Sequence, residues 1–291
     1  MCHETSDEDF AHYRELARLV PSWAWESVVS IAVQQGSRLA QHGTGTLFAM
    51  GQERFVVTAG HVVRQASKHE ARLYCSVPNG TYFPLVRTWT CSTSGAGRLA
   101  HDPFDIAVYH LNEEDYQRLG TAHYVRTTDL TFNFDDEFAV YSLFGFPSVW
   151  SQPESTNLTL KRLEFTGYGY DGNLATLELF RSDYHLAIRA RLDETKDEFA
   201  QDVRFTTLAG IPVDFPVDLG GISGCPVWRI GDRRMPVSNW SSIIPKLVAV
   251  ETGAYPKGVI KATRWVAVTT LLRAAFPQLR PAFDLSIPIS G

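Results

Sequence analysis

The sequence is poor in cysteine, with four in 291 residues: Cys2, Cys75, Cys91 and Cys225. That is too few for a densely stapled secreted scaffold. Two disulfides remain arithmetically possible, but free thiols in a reducing compartment are the simpler reading. Uninterrupted apolar runs are short, Leu247 to Val250 for example. A membrane-spanning helix needs about 20 such residues, so no membrane partner is expected. A basic excess is also missing. The chain carries 27 Lys and Arg against 32 Asp and Glu, a formal net charge of −5. With no basic stripe either, no nucleic-acid partner is expected. The N-terminus, Met1-Cys2-His3-Glu4-Thr5-Ser6-Asp7-Glu8-Asp9, is acidic where a signal peptide is basic, and no apolar core follows it. A cytoplasmic location is the expectation. Apart from His61, the histidines show no H-E-x-x-H spacing and no cysteine pairs, and no phosphate-binding glycine loop is present. No metal and no cofactor are therefore expected.

What the chain does have is a globular composition, 44% hydrophobic and 20% charged, and enough length for two modest domains. Residues Ser6 to Leu19 read as a helix. Ser6 stands at the cap position, and Phe10, Tyr13, Leu16, Ala17 and Val20 recur at the helical period before Pro21. Short runs rich in β-branched and aromatic residues follow: Ser27 to Val33, Gly45 to Ala49, Arg54 to Thr58, Arg72 to Val77, Ile106 to Tyr109 and Phe138 to Leu143. They continue through Leu158 to Leu163, Ala175 to Leu179, Lys246 to Val250 and Lys257 to Ile260. Asp171-Gly172 is a tight-turn signal between two of them. The spacing is that of strands in a sandwich or barrel. From Ala262 to Phe276 the helical period returns, with Trp265, Val268, Leu271, Leu272 and Ala275 on one stripe. The polar stretch Asn112 to Asp136 holds the break between halves.

Three short segments carry candidate chemistry. In Phe55-Val-Val-Thr-Ala-Gly-His61-Val-Val63 a strand and a small-residue turn present one histidine. Such a histidine is equally a hydrogen-bonded core residue. In Asp102-Pro-Phe-Asp105-Ile-Ala-Val-Tyr109 an aspartate precedes a β-branched strand. That is often only a turn cap, yet a carboxylate there can also fix an imidazole tautomer. In Gly220-Gly221-Ile-Ser223-Gly-Cys-Pro226 a serine lies among glycines whose backbone freedom permits an exposed hydroxyl and inward N–H groups.

Each segment is weak evidence alone. Together, Gly43-Thr-Gly-Thr-Leu47, Thr58-Ala-Gly-His61, Asp105-Ile-Ala-Val108 and Gly221-Ile-Ser-Gly-Cys-Pro226 occur in the chain order of the trypsin-like serine peptidases, which this sequence resembles over residues 28–276. Phe144-Gly-Phe-Pro147 is similar to the opening of the second barrel in bacterial HtrA-like members. The resemblance implies a mainly β fold of two six-stranded antiparallel barrels with a helix at each end. Residues 1–27 would be a helical extension, 28–130 the first barrel and 131–291 the second with the C-terminal helix. It implies a His61, Asp105 and Ser223 triad, an oxyanion hole from the N–H groups of Gly221 and Ser223, and a protein or peptide substrate.

Departures from the family refine these expectations. Val62 follows His61 where secreted relatives carry cysteine. Ile222 replaces the aspartate that pairs with a freshly cut N-terminus in zymogens, so no N-terminal trimming is expected to be needed. Any regulation would then come from a protein partner or from loop rearrangement. Cys225 replaces a glycine and is read as a small buried residue. The excess length falls in 151–204. By the family's register, Val217, Asp218, Thr252 and Gly253 line the P1 pocket. Asp218 pointing inward favours a basic P1 residue, and Val217 favours a medium apolar one if Asp218 points out; basic is the expectation. Glu251 has no role in this frame beyond standing where the strand passes the catalytic aspartate, where a second carboxylate raises pKa values. The leading expectation is an intracellular serine endopeptidase, an effector in a bacterial stress or anti-phage system. The alternatives are a catalytically silent binding module and an esterase using Ser223.

Overall fold

The computed structural model describes residues 20–78, 80–92, 102–132, 137–154, 157–189, 205–206, 212–213, 219–235, 239, 244–255, 258–279 and 281. The expected helix over Ser6 to Leu19 lies outside the described residues. The described chain begins with a short helix, α1 (Trp23–Glu26).

Alternating and continuous apolar runs then form eight strands: β1 (Val28–Gln35), β2 (Arg38–Met50), β3 (Glu53–Ala59), β4 (Leu73–Ser76), β5 (Tyr82–Pro84), β6 (Trp89–Cys91), β7 (Ile106–His110) and β8 (Val125–Arg126). They pair in the order β5-β4-β1-β2-β3-β7-β6, with β8 parallel to the end of β2. This sheet curls around its own apolar core of Val29, Ile31, Leu47, Val56 and Tyr109. Its pairing path is that of a curled half-barrel among the described residues, in keeping with the expected two-barrel fold. Two helices are inserted, α2 (Gly60–Lys68) after β3 and α3 (Glu113–Leu119) after β7. Asn112 caps α3, accepting from the Asp115 N–H at 2.7 Å.

The second unit runs β9 (Ala139–Gly145), β10 (Gln152–Glu154), β11 (Asn157–Thr159), β12 (Leu163–Gly169), β13 (His185–Arg189), β14 (Phe205–Thr206), β15 (Pro212–Val213), β16 (Pro226–Asp232), β17 (Lys246–Tyr255) and β18 (Val259–Arg264). Six of these close into a barrel, β12-β13-β18-β17-β16-β9. The C-terminal helix α4 (Trp265–Ala275) follows directly from β18. Its Trp265, Val268 and Leu272 are buried as the stripe predicts, while Ala275 is exposed.

Two strand expectations are corrected. The run Ala175 to Leu179 is no strand; Asn173 instead accepts from the Ala175 N–H at 3.0 Å and starts a single 3₁₀ turn, Leu174–Thr176. Leu174 and Leu179 are exposed there, so no sheet face rewards extension. Asp171-Gly172 consequently opens a long connection to β13 rather than a two-residue hairpin. The run Leu158 to Leu163 is also divided, between the ends of β11 and β12.

One apolar cluster joins the two units. Phe48, Phe55, Val57 and Val108 of the first pack with Val140, Phe144, Trp228 and Val250 of the second, and the Trp265 ring of α4 meets Phe48 at a tilt, 4.9 Å between centroids. Burying faces of both units in one core holds them in a fixed relation.

Candidate active site

At the seam, β3 runs into α2, and His61 occupies the first turn of that helix. The leading N–H groups of any helix lack intrahelical acceptors. Asp105 supplies two: its Oδ1 accepts the His61 backbone N–H at 2.7 Å, and its backbone carbonyl accepts the Gly60 N–H at 2.6 Å. Its Oδ2 lies 2.7 Å from His61 Nδ1. A carboxylate can only accept, so Nδ1 carries the proton and Nε2 presents its lone pair. Asp105 adopts φ +51°, a left-handed conformation that a short polar side chain tolerates better than most. Its side chain is 9% exposed and that of His61 29%.

Arg64, one turn along α2, completes the cradle. Its Nη2 bonds Asp105 Oδ1, and its Nη1 reaches Asp102 Oδ2 at 3.3 Å. Asp102 in turn accepts from Ser92 Oγ, which itself accepts the Ile106 N–H at 3.0 Å. The second barrel holds the same loop from outside. Thr263 Oγ donates to the Phe104 carbonyl at 2.6 Å, and His185 Nε2 donates to the Pro103 carbonyl at 2.6 Å. Part of the long segment after 151 thus buttresses the Asp105 loop. Burial alone lowers the His61 pKa, but the hydrogen bond and charge of Asp105, with Glu251 beyond, outweigh it, and the net pKa is raised despite the opposing charge of Arg64.

Ser223 sits on a turn clamped to the first unit. Thr44 N–H donates to the Ser223 carbonyl at 2.8 Å, and Thr44 Oγ donates to the Gly221 carbonyl at 2.8 Å. Gln41, buried, adds Nε2 bonds to the carbonyls of Gly221 at 3.2 Å and Phe146 at 3.0 Å. Both flanking glycines have positive φ, +94° at Gly221 and +97° at Gly224. A Cβ at Gly224 would stand 2.0 Å from the Thr44 carbonyl oxygen, so no larger residue fits. The Gly220 carbonyl accepts the Ser148 N–H at 2.7 Å. Across a trans peptide the Gly221 N–H points the opposite way. Among the described residues, neither it nor the Ser223 N–H donates to any acceptor. Ile222, by contrast, is buried in the second barrel's apolar core beside Leu143, Leu163 and Cys225. The Cys225 thiol is fully buried and pushed well above its ordinary pKa by burial, which leaves it no thiolate to attack with.

The structure brings His61, Asp105 and the Ser223 turn to one seam. No hydrogen bond joins Ser223 Oγ to His61 among the described residues. Val217 and Asp218 lie outside the described residues. Thr252 is buried rather than open to a cleft, its Oγ 3.2 Å from Thr263 Oγ. Gly253 borders open space: a Cβ there meets nothing within 4 Å. Sequence reasoning missed Arg64, Gln41 and Thr44 as supports. Only the Arg64 spacing of three residues from His61 on one helix offered a signal.

Among solved structures, the chain is similar to protease Anisep from Arthrobacter nicotinovorans, with TM-score 0.50 and 15% identity over 87% of this chain and 97% of that one. It is also similar to the thermostable serine protease AL20 from an extremophilic microorganism, with TM-score 0.48 and 14% identity over 87% and 98%. Glu endopeptidase matches with TM-score 0.47 and 14% identity over 88% and 94%. No protein-family model matches the chain, and no curated protein does. The fold is thus the two-unit β fold of trypsin-like serine proteases. Among the described residues, no helix is long and apolar enough to cross a membrane.

Proposed function

We propose that this protein is a serine endopeptidase that cleaves a protein substrate with His61, Asp105 and Ser223. The observation that carries the reading is the 2.7 Å contact between His61 Nδ1 and Asp105 Oδ2 at the seam where the Ser223 turn docks. It leaves Nε2 as a base on the side away from the carboxylate. In the reaction, Ser223 Oγ attacks the scissile carbonyl while His61 takes its proton, then returns that proton to the leaving amine. Asp105 keeps the imidazole oriented and offsets its charge. The Gly221 and Ser223 N–H groups meet the developing oxyanion, a contribution worth roughly 10²–10³ in kcat per donor in such sites. Ile222 in the apolar core supports activity without a newly cut N-terminus.

The finer assignments are part of the same proposal. Asp218 selects a basic P1 residue, tested by a panel of P1 substrates in which Arg or Lys should outperform Leu. Cys75, Cys91 and Cys225 are free thiols, which supports action inside the cell. A role as an effector beside stress or phage sensors rests on the family resemblance. New protein N-termini in cells expressing wild type but not Ser223→Ala test that role. The decisive test of the chemistry is labelling by a fluorophosphonate. The fluorophosphonate is expected to modify wild type and not Ser223→Ala, with peptide cleavage lost in parallel. Unlabelled wild type would leave a silent binding module, and ester cleavage without peptide cleavage an esterase.

A further inference from the structure

Beside the Ser223 turn lies a buried acidic residue, Glu251, that the proposed reaction does not use. Glu251 lies on β17, and its backbone brackets the nucleophile turn. The Gly224 N–H donates to its carbonyl at 2.8 Å, and its own N–H donates to the Cys225 carbonyl at 2.9 Å. The pairing of β17 with β18 slips between Glu251 and Gly253, a bulge at Thr252. A bulge breaks the in-and-out alternation, and both Glu251 and Thr252 turn inward, 2% and 4% exposed.

The charged and titratable groups facing this carboxyl come from three elements. They are His61 on α2, Asp105 just before β7, and Cys225 two residues after Ser223, with Arg64 beyond Asp105. The Ser223 side chain and the Gly253 backbone N–H lie on its side of the seam and favour its ionised form. Its Oε2 is nevertheless buried with no hydrogen-bond partner among the described residues. An ionised carboxylate oxygen that is buried and receives no donor is costly, so the group prefers its proton. Burial, the largest influence, pushes the Glu251 pKa up to about 7, even though His61 pulls it down.

We propose that Glu251 is a positioning residue that controls whether Ser223 can reach its base. Ionised, it draws the Ser223 hydroxyl toward β17 and keeps a proton on the imidazole. Protonated, it releases the hydroxyl to a neutral His61. This deepens the peptidase reading and rests on it. Two titrations then bound the reactive state, and they belong to the Glu251–His61 pair rather than to either group alone.

The test is the rate of Ser223 modification by a fluorophosphonate from pH 5 to pH 9. In that step the Ser223 Oγ–P bond forms, the P–F bond breaks, fluoride leaves and the proton passes to His61. Wild type should give a bell-shaped profile. Glu251→Gln should lose the alkaline limb and move its acid limb to lower pH, because the charge that raises the His61 pKa is gone. Its labelling should exceed wild type by roughly 3–10-fold at both ends of the range. Glu251→Ser, too short to reach Ser223, should behave likewise and serves if the glutamine variant does not fold. Profiles of both variants that superimpose on wild type would overturn the proposal while leaving the peptidase reading intact. Absence of any Ser223-dependent labelling at every pH would overturn both.

Discussion

Asp105 grips His61 twice, its Oδ1 accepting the backbone N–H and its Oδ2 facing Nδ1, each at 2.7 Å. One side chain therefore caps the helix that carries the histidine and sets the ring's orientation and tautomer. Coupling a structural cap to a catalytic contact ties the imidazole to the start of its helix at two points.

Asp105→Asn should be severe on the rate and mild on the fold. The amide can donate to Nδ1 and invert the tautomer, placing the proton on Nε2 where the lone pair is needed. A loss of roughly 10³–10⁴-fold in labelling or kcat is expected. Thermal unfolding should report only about 1 kcal/mol from the altered cap. An unchanged rate would remove Asp105 from the mechanism.

Arg64→Met removes the fork that ties Asp105 to Asp102 while keeping much of the stem's packing. Arg64 lowers the His61 pKa, so its loss should raise that pKa further above the ordinary 6.5. Activity requires neutral His61, and the acid limb of the pH–rate profile should shift to higher pH. A comparison of the two profiles at several pH values checks the direction. Arg64→Lys should rescue charge but not the two-pronged contact.

Gly224→Ala tests the nucleophile turn. The added Cβ meets the Thr44 carbonyl oxygen at 2.0 Å and Thr58 Oγ at 2.3 Å, at φ +97°. Backbone strain and the clash together should cost about 3 kcal/mol or more. Chemical denaturation should show a lower midpoint, and Ser223 labelling should fall with it.

His185 predicts acid sensitivity of the fold. Its Nε2 donates to the Pro103 carbonyl while its Nδ1 accepts the Arg181 N–H at 2.9 Å, an arrangement that only the neutral ring can make. Burial, helped by the charge of Lys261, lowers its pKa to about 4. Between that value and the ordinary 6.5 the unfolded chain binds the extra proton, so stability rises with pH across this window. Its contribution is complete above about 6.5 and lost as pH falls toward 4, on the order of 2 kcal/mol by pH 4.5. Denaturation midpoints for wild type and His185→Gln should therefore converge as the pH drops. A constant gap would exclude this residue.

The order of a histidine after a strand, an aspartate before one and a serine between glycines was legible in the sequence because each depends on local chemistry. Thr58-Ala-Gly-His61 needs small residues at a strand end, and Gly221 and Gly224 are demanded by backbone angles within one turn. The strand texture likewise announced a mainly β chain, although Ala175 to Leu179 shows that alternation without a partner strand forms no sheet. Tertiary structure alone decided the rest. The bulge at Thr252 turned Glu251 into the seam, Arg64 found Asp102 and Asp105 across a loop, and Gln41 reached carbonyls from distant turns. Burial and the approach of charges are sums over many separate segments, so no stretch of sequence encodes them by itself.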